Sequence, residues 1–483
     1  MIKKLLLVIG TLSYTMFLHA QGINKSPNKQ VIISGFIDNS FLKSQKEEVR
    51  VNFYNEFNEN LIANSDLLIT PIVKSRFSVQ AQCNSEVAYF NIENWPTMSL
   101  YQNIFLVQSG DSLCLNMVSE KEIYFSGKGS AKLNYQLWFA KFRNTFFKSF
   151  SKNDTSVISF NRLKAAKMIS TALDSLDKIK ETMNEDTYNL LRTNTVSAIK
   201  WECLSAMTAF IDSNDPAYIN ALQKEVFKLY QDQRGLTIIN TLILDHSFLY
   251  VRYLYELSRI NTTLSTKNLR SDLTSIYNSI KRDFTGLTRD KLLVQCFLNQ
   301  SISEKDITKL LEDALSIIKD PSGQKILESR FLARKSGASA FKFDLEGING
   351  EKIQLDQFIG KIVVIDSWFL GCPGCIGLAR ELESIIAHFK KRKDVVFLGV
   401  NVDKEHDKFI AGVKSGKYTS SQTINAYTNG LGYLHPMLKY YQYKSYPNLL
   451  LIDKNGKIIY ADPPRPLTGP NKDFFIRLIE ENL

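Results

Sequence analysis

The sequence predicts a multidomain protein with an N-terminal β-sandwich-like domain, a central all-α region and a C-terminal α/β domain. Three observations predict this order. Short alternating apolar segments fill residues 21–129, apolar residues at helical spacing fill residues 130–335, and strands alternate with helices over residues 336–483. The length of 483 residues suits about three domains. A composition that is 44% hydrophobic and 23% charged excludes a disordered or fibrous chain.

The first twenty residues have the pattern of a secretory signal peptide. Lys3 and Lys4 precede the apolar run Leu5–Leu18, and the small residue Ala20 ends the segment. The run is fourteen residues long, whereas a helix that spans a bilayer needs about 20 apolar residues. An uncleaved membrane anchor is therefore the weaker alternative. No cysteine stands directly after the cleavage site, so the sequence offers no residue there for lipid attachment. We therefore expect residues 1–20 to be removed and the mature protein to be soluble and periplasmic.

The N-terminal domain is predicted from short strands separated by clusters of Asn, Asp, Gly and Ser. Strands are predicted over Val31–Ile37, Val49–Tyr54, Phe77–Ala81, Val87–Ile92, Ile104–Val107, Ser112–Met117 and Ile123–Phe125. This number of short strands in about a hundred residues is typical of an antiparallel sandwich.

The central region is predicted to consist of packed helices. Apolar residues recur every three or four positions from Phe160 to Met183, which marks one face of a helix. Further helices are predicted over Thr187–Phe210, Pro216–Gln231, Leu236–Ile260, Asn268–Phe284 and Arg289–Leu298, with another beginning at Ser303. We interpret the aromatic stripe Phe248, Tyr250, Tyr253 and Tyr255 as packing between helices rather than as a cofactor site.

Four of the six cysteines are solitary in the sequence. Cys83, Cys114, Cys203 and Cys296 are far apart and are predicted to be small core residues. A Cys83–Cys114 bridge is the alternative, because both residues lie in strand-like segments of one domain. Cys372 and Cys375 differ, since only Pro373 and Gly374 separate them.

The C-terminal domain is predicted from alternating strands and helices. A hairpin is predicted over Phe341–Asp344 and Lys352–Leu355, a buried strand over Ile362–Ile365, a helix through Leu378 to Phe389, a strand over Val395–Val400, strands over Asn448–Ile452 and Lys457–Tyr460, and a helix near Asp473–Glu480. The Cys-x-x-Cys pair lies between the buried strand and the first helix, and Pro447 precedes a later strand. This order is that of a thioredoxin-type domain.

The placement of the Cys-x-x-Cys pair predicts thiol–disulfide exchange. A cysteine attacks a disulfide only as the thiolate, and a helix N-terminus favours that negative charge. Cys372 lies at such a terminus, with Pro373 suited to the first helical position. Cys375, one turn later, can resolve the mixed disulfide. Asp366 ends an apolar strand and is predicted to accept the resolving thiol's proton, although a solvated strand-end aspartate is the alternative.

Two other interpretations of the cysteine pair are weaker. Half of a zinc site is one, but no second Cys-x-x-Cys exists, and His388 has no partner histidine three to five residues later. An inert structural disulfide is the other, and its position between strand and helix disfavours it. We expect neither a metal nor a cofactor. Nucleic acid is also disfavoured, because the net charge of +11 is spread thinly along the chain.

The C-terminal residues resemble exported thioredoxin-like oxidoreductases of the TlpA/ResA group, with an AhpC/TSA-type domain behind a strand-rich and helical extension. The resemblance covers about 145 residues from Ser339 onward. It rests on the runs Phe341-x-Phe343-Asp344-Leu345, Gly350-x-x-Ile353-x-Leu355, Phe358-x-Gly360-Lys361-x-Val363-Val364-Ile365-Asp366-x-Trp368 and Cys372-x-x-Cys375.

The resemblance implies a role for each site residue. By position, Cys372 is the attacking cysteine and Cys375 the resolving one, and Asp366 is the buried acid. Pro447, after Tyr446, is the cis-proline beside which an extended client peptide pairs with the backbone. We assign substrate binding to Tyr446, Pro447, Trp368 and Pro373. The resemblance implies an exported oxidoreductase that reduces disulfide-containing protein clients and receives electrons from a membrane thiol donor.

The sequence departs from this group at three positions. Pro-Gly stands between the cysteines where relatives often have Gly-Pro, Gly371 stands where many thioredoxins have Trp, and Leu378 occupies a position that is often Glu in the cytochrome-maturation branch. A peroxiredoxin is a rival, but Phe369 replaces the hydroxyl residue that peroxide reduction needs three positions before the attacking cysteine. A non-enzymatic client-binding protein with a passive thioredoxin scaffold is the second rival.

Overall fold

The structure is a computed structural model that describes residues 29–37, 48–55, 66–92, 104–118, 122–144, 155–212, 215–234, 241–265, 272–298, 307–443 and 445–483. The predicted signal peptide and the helix start predicted at Ser303 lie outside these residues. The described residues form two compact units. The first comprises those within Met1–Asn55, Asp66–Ala140 and Glu181–Met183, and the second those within Glu56–Ser65, Lys141–Lys180 and Asn184–Leu483. The predicted domain boundaries stay predictions.

The first unit contains two four-stranded sheets. The strands are β1 (Lys29–Ile37), β2 (Glu48–Tyr54), β3 (Asp66–Pro71), β4 (Arg76–Cys83), β5 (Val87–Ile92), β6 (Phe105–Gln108), β7 (Ser112–Met117) and β8 (Ile123–Lys128). Their order is β4-β1-β7-β8 in one sheet and β3-β2-β5-β6 in the other. Apolar side chains from both sheets form one core, in which the ring centroids of Phe105 and Phe125 lie 5.1 Å apart.

Two sequence predictions for this unit need correction. Strand β3 was not predicted, because its mixed pattern of exposure at the sheet edge gives no clean alternation of apolar and polar residues. The alternative of a Cys83–Cys114 bridge is wrong, since neither cysteine forms a disulfide bond. Cys83 pairs with Lys29 and Cys114 with Ser34, so strand β1 lies between the two cysteines in the sheet.

Helices dominate the chain between the two sheet-containing parts. They are α1 (Ser130–Arg143), α2 (Ser156–Asp177), α3 (Glu185–Met207), α4 (Pro216–Arg234), α5 (Thr241–His246), α6 (Phe248–Ser265), α7 (Leu273–Asp283), α8 (Gly286–Leu298), α9 (Ile307–Ile317) and α10 (Pro321–Leu332). Within the described ranges, none of these helices is both long and apolar enough to cross a lipid bilayer.

The single helix predicted over Leu236–Ile260 is interrupted. Helices α5 and α6 are separated at Ser247, whose hydroxyl donates to Asn194 Oδ1 at 2.6 Å and accepts from the Tyr250 N–H at 3.3 Å. Ser247 therefore caps the start of α6. A serine side chain that bonds to nearby backbone groups favours the start of a helix over its interior. Tyr250, Tyr253 and Tyr255 are buried, so the predicted packing role of the aromatic stripe is confirmed for these three residues.

The C-terminal part of the second unit is a seven-stranded sheet with helices. Its elements are β9 (Asp344–Gly347), β10 (Lys352–Gln354), β11 (Ile362–Trp368), α11 (Pro373–His388), β12 (Val395–Asn401), α12 (His406–Ser415), β13 (Ile424–Tyr427), α13 (Pro436–Tyr441), β14 (Asn448–Ile452), β15 (Ile458–Ala461) and α14 (Gly469–Glu480). The strand order is β10-β9-β13-β12-β11-β14-β15. Strand β11 is central, parallel to β12 and antiparallel to β14, and all its residues are buried.

The central strand carries the active-site segment to its position. It runs to Trp368, three residues past the predicted end, so that Asp366 lies inside the sheet rather than after it. The segments α12, β13 and α13 were not predicted. Strand β13 has only four residues and is exposed at Ile424, which leaves a weak pattern in the sequence.

Arg330 in helix α10 and Arg334 just after its end both contact this sheet domain. The Arg330 guanidinium, 3% exposed, donates to Gln442 Oε1 at 2.7 Å. Arg334 donates to the Tyr441 carbonyl oxygen at 3.1 Å. Burial lowers the pKa of Arg330 well below its usual range, and the attraction of Asp462 opposes this shift. Helix α10 thus packs through buried polar contacts onto the segment that leads to Pro447.

Candidate active site

The sequence-predicted cysteines form a disulfide at the start of helix α11. Cys372 and Cys375 are bonded, with their Cα atoms 5.3 Å apart. The two sulfur-bearing residues are buried, at 3% and 0% exposure, while the intervening Pro373 and Gly374 are exposed. The structure therefore shows the oxidised form of the pair, in which the sulfur atoms are buried and only Pro373 and Gly374 between them are exposed.

Cys372 is the N-cap residue of helix α11. Its backbone is extended, and its sulfur accepts a hydrogen bond from the Cys375 N–H at 3.1 Å. Pro373 occupies the first helical turn, where its fixed φ suits the helix and its missing N–H costs no hydrogen bond. Once the disulfide is reduced, the same N–H and the helix dipole favour the Cys372 thiolate over the thiol.

The loop that ends at Pro447 lies beside the dithiol. The Tyr446–Pro447 peptide bond is cis, as the resemblance implies. The Tyr446 carbonyl oxygen is 3.9 Å from Cys372 Sγ, and a Cβ atom on Gly374 would lie 3.3 Å from Pro447 Cδ. Arg465 donates to the Pro447 carbonyl oxygen at 2.8 Å and so holds the loop from its other side.

The residues just before Cys372 are held by two side chains from elsewhere in the domain. The Leu370 N–H donates to Asp403 Oδ2 at 2.8 Å, and the Gly371 N–H donates to the Tyr418 hydroxyl at 2.8 Å. Gly371 has a φ of +94°, a conformation that a side chain at this position would strain. The loop that leads to Cys372 is therefore held in place by hydrogen bonds to its backbone.

Trp368 lies underneath this loop. Its indole is 0% exposed and stacks on Tyr418, with ring centroids 5.0 Å apart and planes 11° apart. The assignment of Trp368 to direct substrate binding is therefore corrected, because a fully buried indole presents no surface to a client. Trp368 supports the Tyr418 ring, and Tyr418 in turn accepts the Gly371 N–H.

Gly412 gives a test of this buried support. A Cβ atom on Gly412 would lie 2.4 Å from the Trp368 ring, so Gly412→Ala is expected to lower the free energy of unfolding by about 1–3 kcal/mol. The better helix propensity of alanine is worth only about 1 kcal/mol and does not offset this clash. Urea unfolding measures the change. Gly377→Ala is the control, because a Cβ there meets no atom within 4 Å and is expected to be neutral or stabilising.

Asp366 is a buried acid with an unusual proton affinity. The residue is 7% exposed, and its Oδ1 atom has no hydrogen-bond partner among the described residues. Burial raises the pKa of the carboxyl group to about 7, and the positive charge of Arg465 lowers it in part. A carboxyl group that titrates near neutral pH can both accept and release a proton during catalysis.

The zinc interpretation finds no support in the described residues. His388 Nε2 lies 3.1 Å from Glu480 Oε1 at the surface. No group of three or more His, Cys, Asp or Glu side chains among the described residues is arranged to hold a metal ion. Sequence reasoning missed Arg465, Asp403 and Tyr418, since no motif marks them and only the fold brings them to the dithiol.

Comparison with known proteins supports an assignment for the C-terminal domain. Residues 336–461 match the model of the AhpC/TSA family. No curated protein is significantly similar to the chain.

Similar solved structures include a proposed thiol-disulfide oxidoreductase from Bacteroides vulgatus, which is 25% identical, with coverage of 31% of this chain and 97% of that one and a TM-score of 0.27. A proposed thiol:disulfide interchange protein DsbE from Chlorobium tepidum is 21% identical, with coverage of 31% and 98% and a TM-score of 0.27. The C-terminal domain of a proposed thiol-disulfide oxidoreductase from Bacteroides thetaiotaomicron is 23% identical, with coverage of 31% and 99% and a TM-score of 0.27.

The assignment rests on the family match and on the site itself. A dithiol whose first sulfur lies at a helix N-terminus is suited to disulfide exchange, because that position favours the attacking thiolate. The C-terminal part of this chain is a thioredoxin-like oxidoreductase domain, and its residues 336–461 match the AhpC/TSA family.

Proposed function

We propose that the protein is an exported thiol–disulfide oxidoreductase that reduces disulfides in protein clients. One observation carries the proposal: the Cys372 sulfur lies at the start of helix α11, accepts the Cys375 N–H, and is bonded to Cys375. This arrangement stabilises a thiolate at one sulfur and supplies a second sulfur to release the product.

The cycle begins with the reduced dithiol. The Cys372 thiolate attacks one sulfur of a client disulfide, a Cys372–client S–S bond forms, and the other client sulfur leaves as a thiolate that takes a proton from solvent. Asp366 then removes the Cys375 proton, and the Cys375 thiolate attacks Cys372 Sγ. The client's second sulfur leaves with its electron pair, so that the dithiol has given two electrons and is left as the disulfide.

Client recognition is proposed at the exposed rim of the dithiol. Pro373 is exposed and Tyr446 is half-buried, while Pro447 is buried beside the disulfide. An extended client peptide would pair with backbone groups next to Pro447, as in strand addition. Arg465 is proposed to keep the Pro447 carbonyl in place, because it donates to that oxygen.

The direction of electron flow is tested by the reduction potential. We expect equilibration against glutathione to give about −270 mV, the value of a thioredoxin-like reductant supplied by a membrane thiol donor. A value near about −120 mV would identify an oxidant that installs disulfides instead. A folded protein whose cysteine pair never exchanges with glutathione would contradict the enzymatic proposal and favour the passive scaffold.

Export and the absence of peroxidase chemistry belong to the same proposal. The signal-peptide pattern of residues 1–20 supports a periplasmic location, where disulfides form and need reduction. Phe369 lies three positions before Cys372 and packs edge-on against Tyr446, so it supplies no hydroxyl to activate a peroxide. We therefore propose disulfide exchange rather than peroxide reduction.

A further inference from the structure

A small cavity lined in part by Asp366 lies within the sheet domain. It has a volume of about 20 Å³, which is enough for one water molecule. Its walls come from strands β11 and β12, from helix α11, and from the loop that follows helix α12. The lining includes Asp366, Leu382, Gly399, Thr419, Ser420 and Thr423.

Two polar atoms at this cavity have no hydrogen-bond partner among the residues that the structure describes. Asp366 Oδ1 and Thr419 Oγ1 are both buried and make no hydrogen bond to any described residue. Buried polar atoms in folded proteins are almost always paired, by protein or by an ordered water. The other two hydroxyls of the loop satisfy each other, because Ser420 Oγ and Thr423 Oγ1 lie 3.1 Å apart.

We propose that one water molecule bound in this cavity bridges Asp366 Oδ1 and the Thr419 hydroxyl, and that it carries protons between Asp366 and the surface. The proposal rests on the function proposed above, because the proton comes from the resolving cysteine. Thr419 is then a positioning residue, which acts on the reaction only through the water and the carboxyl group.

The location of the cavity suits this route. Ala379, one helical turn after Cys375, lines the cavity, so the cavity lies on the same face of helix α11 as the resolving cysteine. On the outer side, the loop that contains Thr419 continues into Ser421 and Gln422, which are exposed. In each cycle the carboxylate takes the Cys375 proton, and the resulting carboxylic acid returns it to solvent through the water.

Few other groups can disturb the titration of Asp366. Arg465, from the loop after strand β15, is the charged group that acts on it. Tyr418 is the other titratable side chain of the cavity lining, while helix α11 and strand β12 contribute apolar residues or glycine to the walls. In the oxidised protein Cys375 holds no titratable proton, so the titration of Asp366 can be followed without it.

The test is a titration of the Asp366 carboxyl carbon by NMR in the full-length oxidised protein. Thr419→Val removes the hydroxyl and keeps the side-chain shape, so the carboxylate loses a water-mediated hydrogen bond and its titration midpoint is expected to rise by about half a pH unit or more. Thr423→Val is the matched control. It removes a threonine hydroxyl from the same cavity wall, but one that is paired with Ser420, so the midpoint is expected to stay that of the parent protein.

Two results would overturn the inference. One is an unchanged midpoint in Thr419→Val, and the other is an equal shift in both threonine variants. The titration midpoint of Asp366 is measured in the oxidised protein and requires no turnover. A parent protein that failed to exchange disulfides would therefore contradict the proposed function, while the titration would still test the water site. A midpoint shift in Thr419→Val, together with a several-fold slower resolving step below that midpoint, supports both.

Discussion

Replacing Cys372 with serine is expected to reduce disulfide exchange to the uncatalysed rate, a loss on the order of a thousandfold or more. The reason is that the attacking sulfur sits at the helix N-terminus, where the Cys375 N–H donates to it. Serine in that place offers a hydroxyl that stays protonated near neutral pH. The rate of reduction of a disulfide-containing peptide by the pre-reduced protein measures the loss.

Cys375→Ser separates the two cysteines. This variant keeps the first attack but lacks the resolving sulfur, so it is expected to accumulate a Cys372–client mixed disulfide that mass spectrometry detects. Cys203→Ser is the matched control, because Cys203 is a free buried thiol whose pKa burial raises to about 12. Exchange that survived in Cys372→Ser and vanished in Cys375→Ser would reverse the assignment of attacker and resolver.

Asp366→Asn is expected to stabilise the protein at alkaline pH. Burial raises the pKa of Asp366 from 3.8 to about 7, so the native state holds the proton more tightly than the unfolded state. Stability from this group is therefore fully present below about pH 4, falls as the pH rises, and is lost above about pH 7. A shift of about three pK units corresponds to about 4 kcal/mol.

The measurement is urea unfolding of both proteins at pH 4 and pH 8. Asp366→Asn is expected to raise the free energy of unfolding by up to about 4 kcal/mol at pH 8 and to leave it nearly unchanged at pH 4. The exposed Asp473 provides the control, and Asp473→Asn is expected to show no such pH dependence. Equal stability of Asp366→Asn and the parent at pH 8 would mean that burial does not raise the pKa of Asp366. The same variant is also expected to slow the resolving step, since an amide accepts no proton.

The sequence was sufficient for the parts of the site that depend on local order. The buried strand, the cysteine pair and the following helix are contiguous, and their periodicity and spacing are visible in residues 362–389. The proline that faces the dithiol could be placed only through a family resemblance. Asp366 was predicted as a buried acid, and the structure buries it within strand β11.

Contacts between distant residues could not be predicted in the same way. Asp403 reaches Leu370 across 33 residues, and Tyr418 reaches Gly371 across 47. No local pattern marks such partners, because they are chosen by the way the strands stack in the sheet. Trp368 is a related case. The resemblance led to its assignment to client binding, but only the packing of Tyr418 and Phe409 shows that the indole is covered.

The contacts of Arg330 and Arg334 determine where the C-terminal domain can be cut from the rest of the chain. The family match begins at residue 336, yet both arginines precede that point. A fragment that starts there would leave Gln442 Oε1 and the Tyr441 carbonyl oxygen without the donors they have in the intact chain. A fragment that starts at Asp320, the residue that caps helix α10, keeps both donors and the whole helix that carries Arg330. The segment that matches the family model and the segment that keeps these contacts therefore have different first residues.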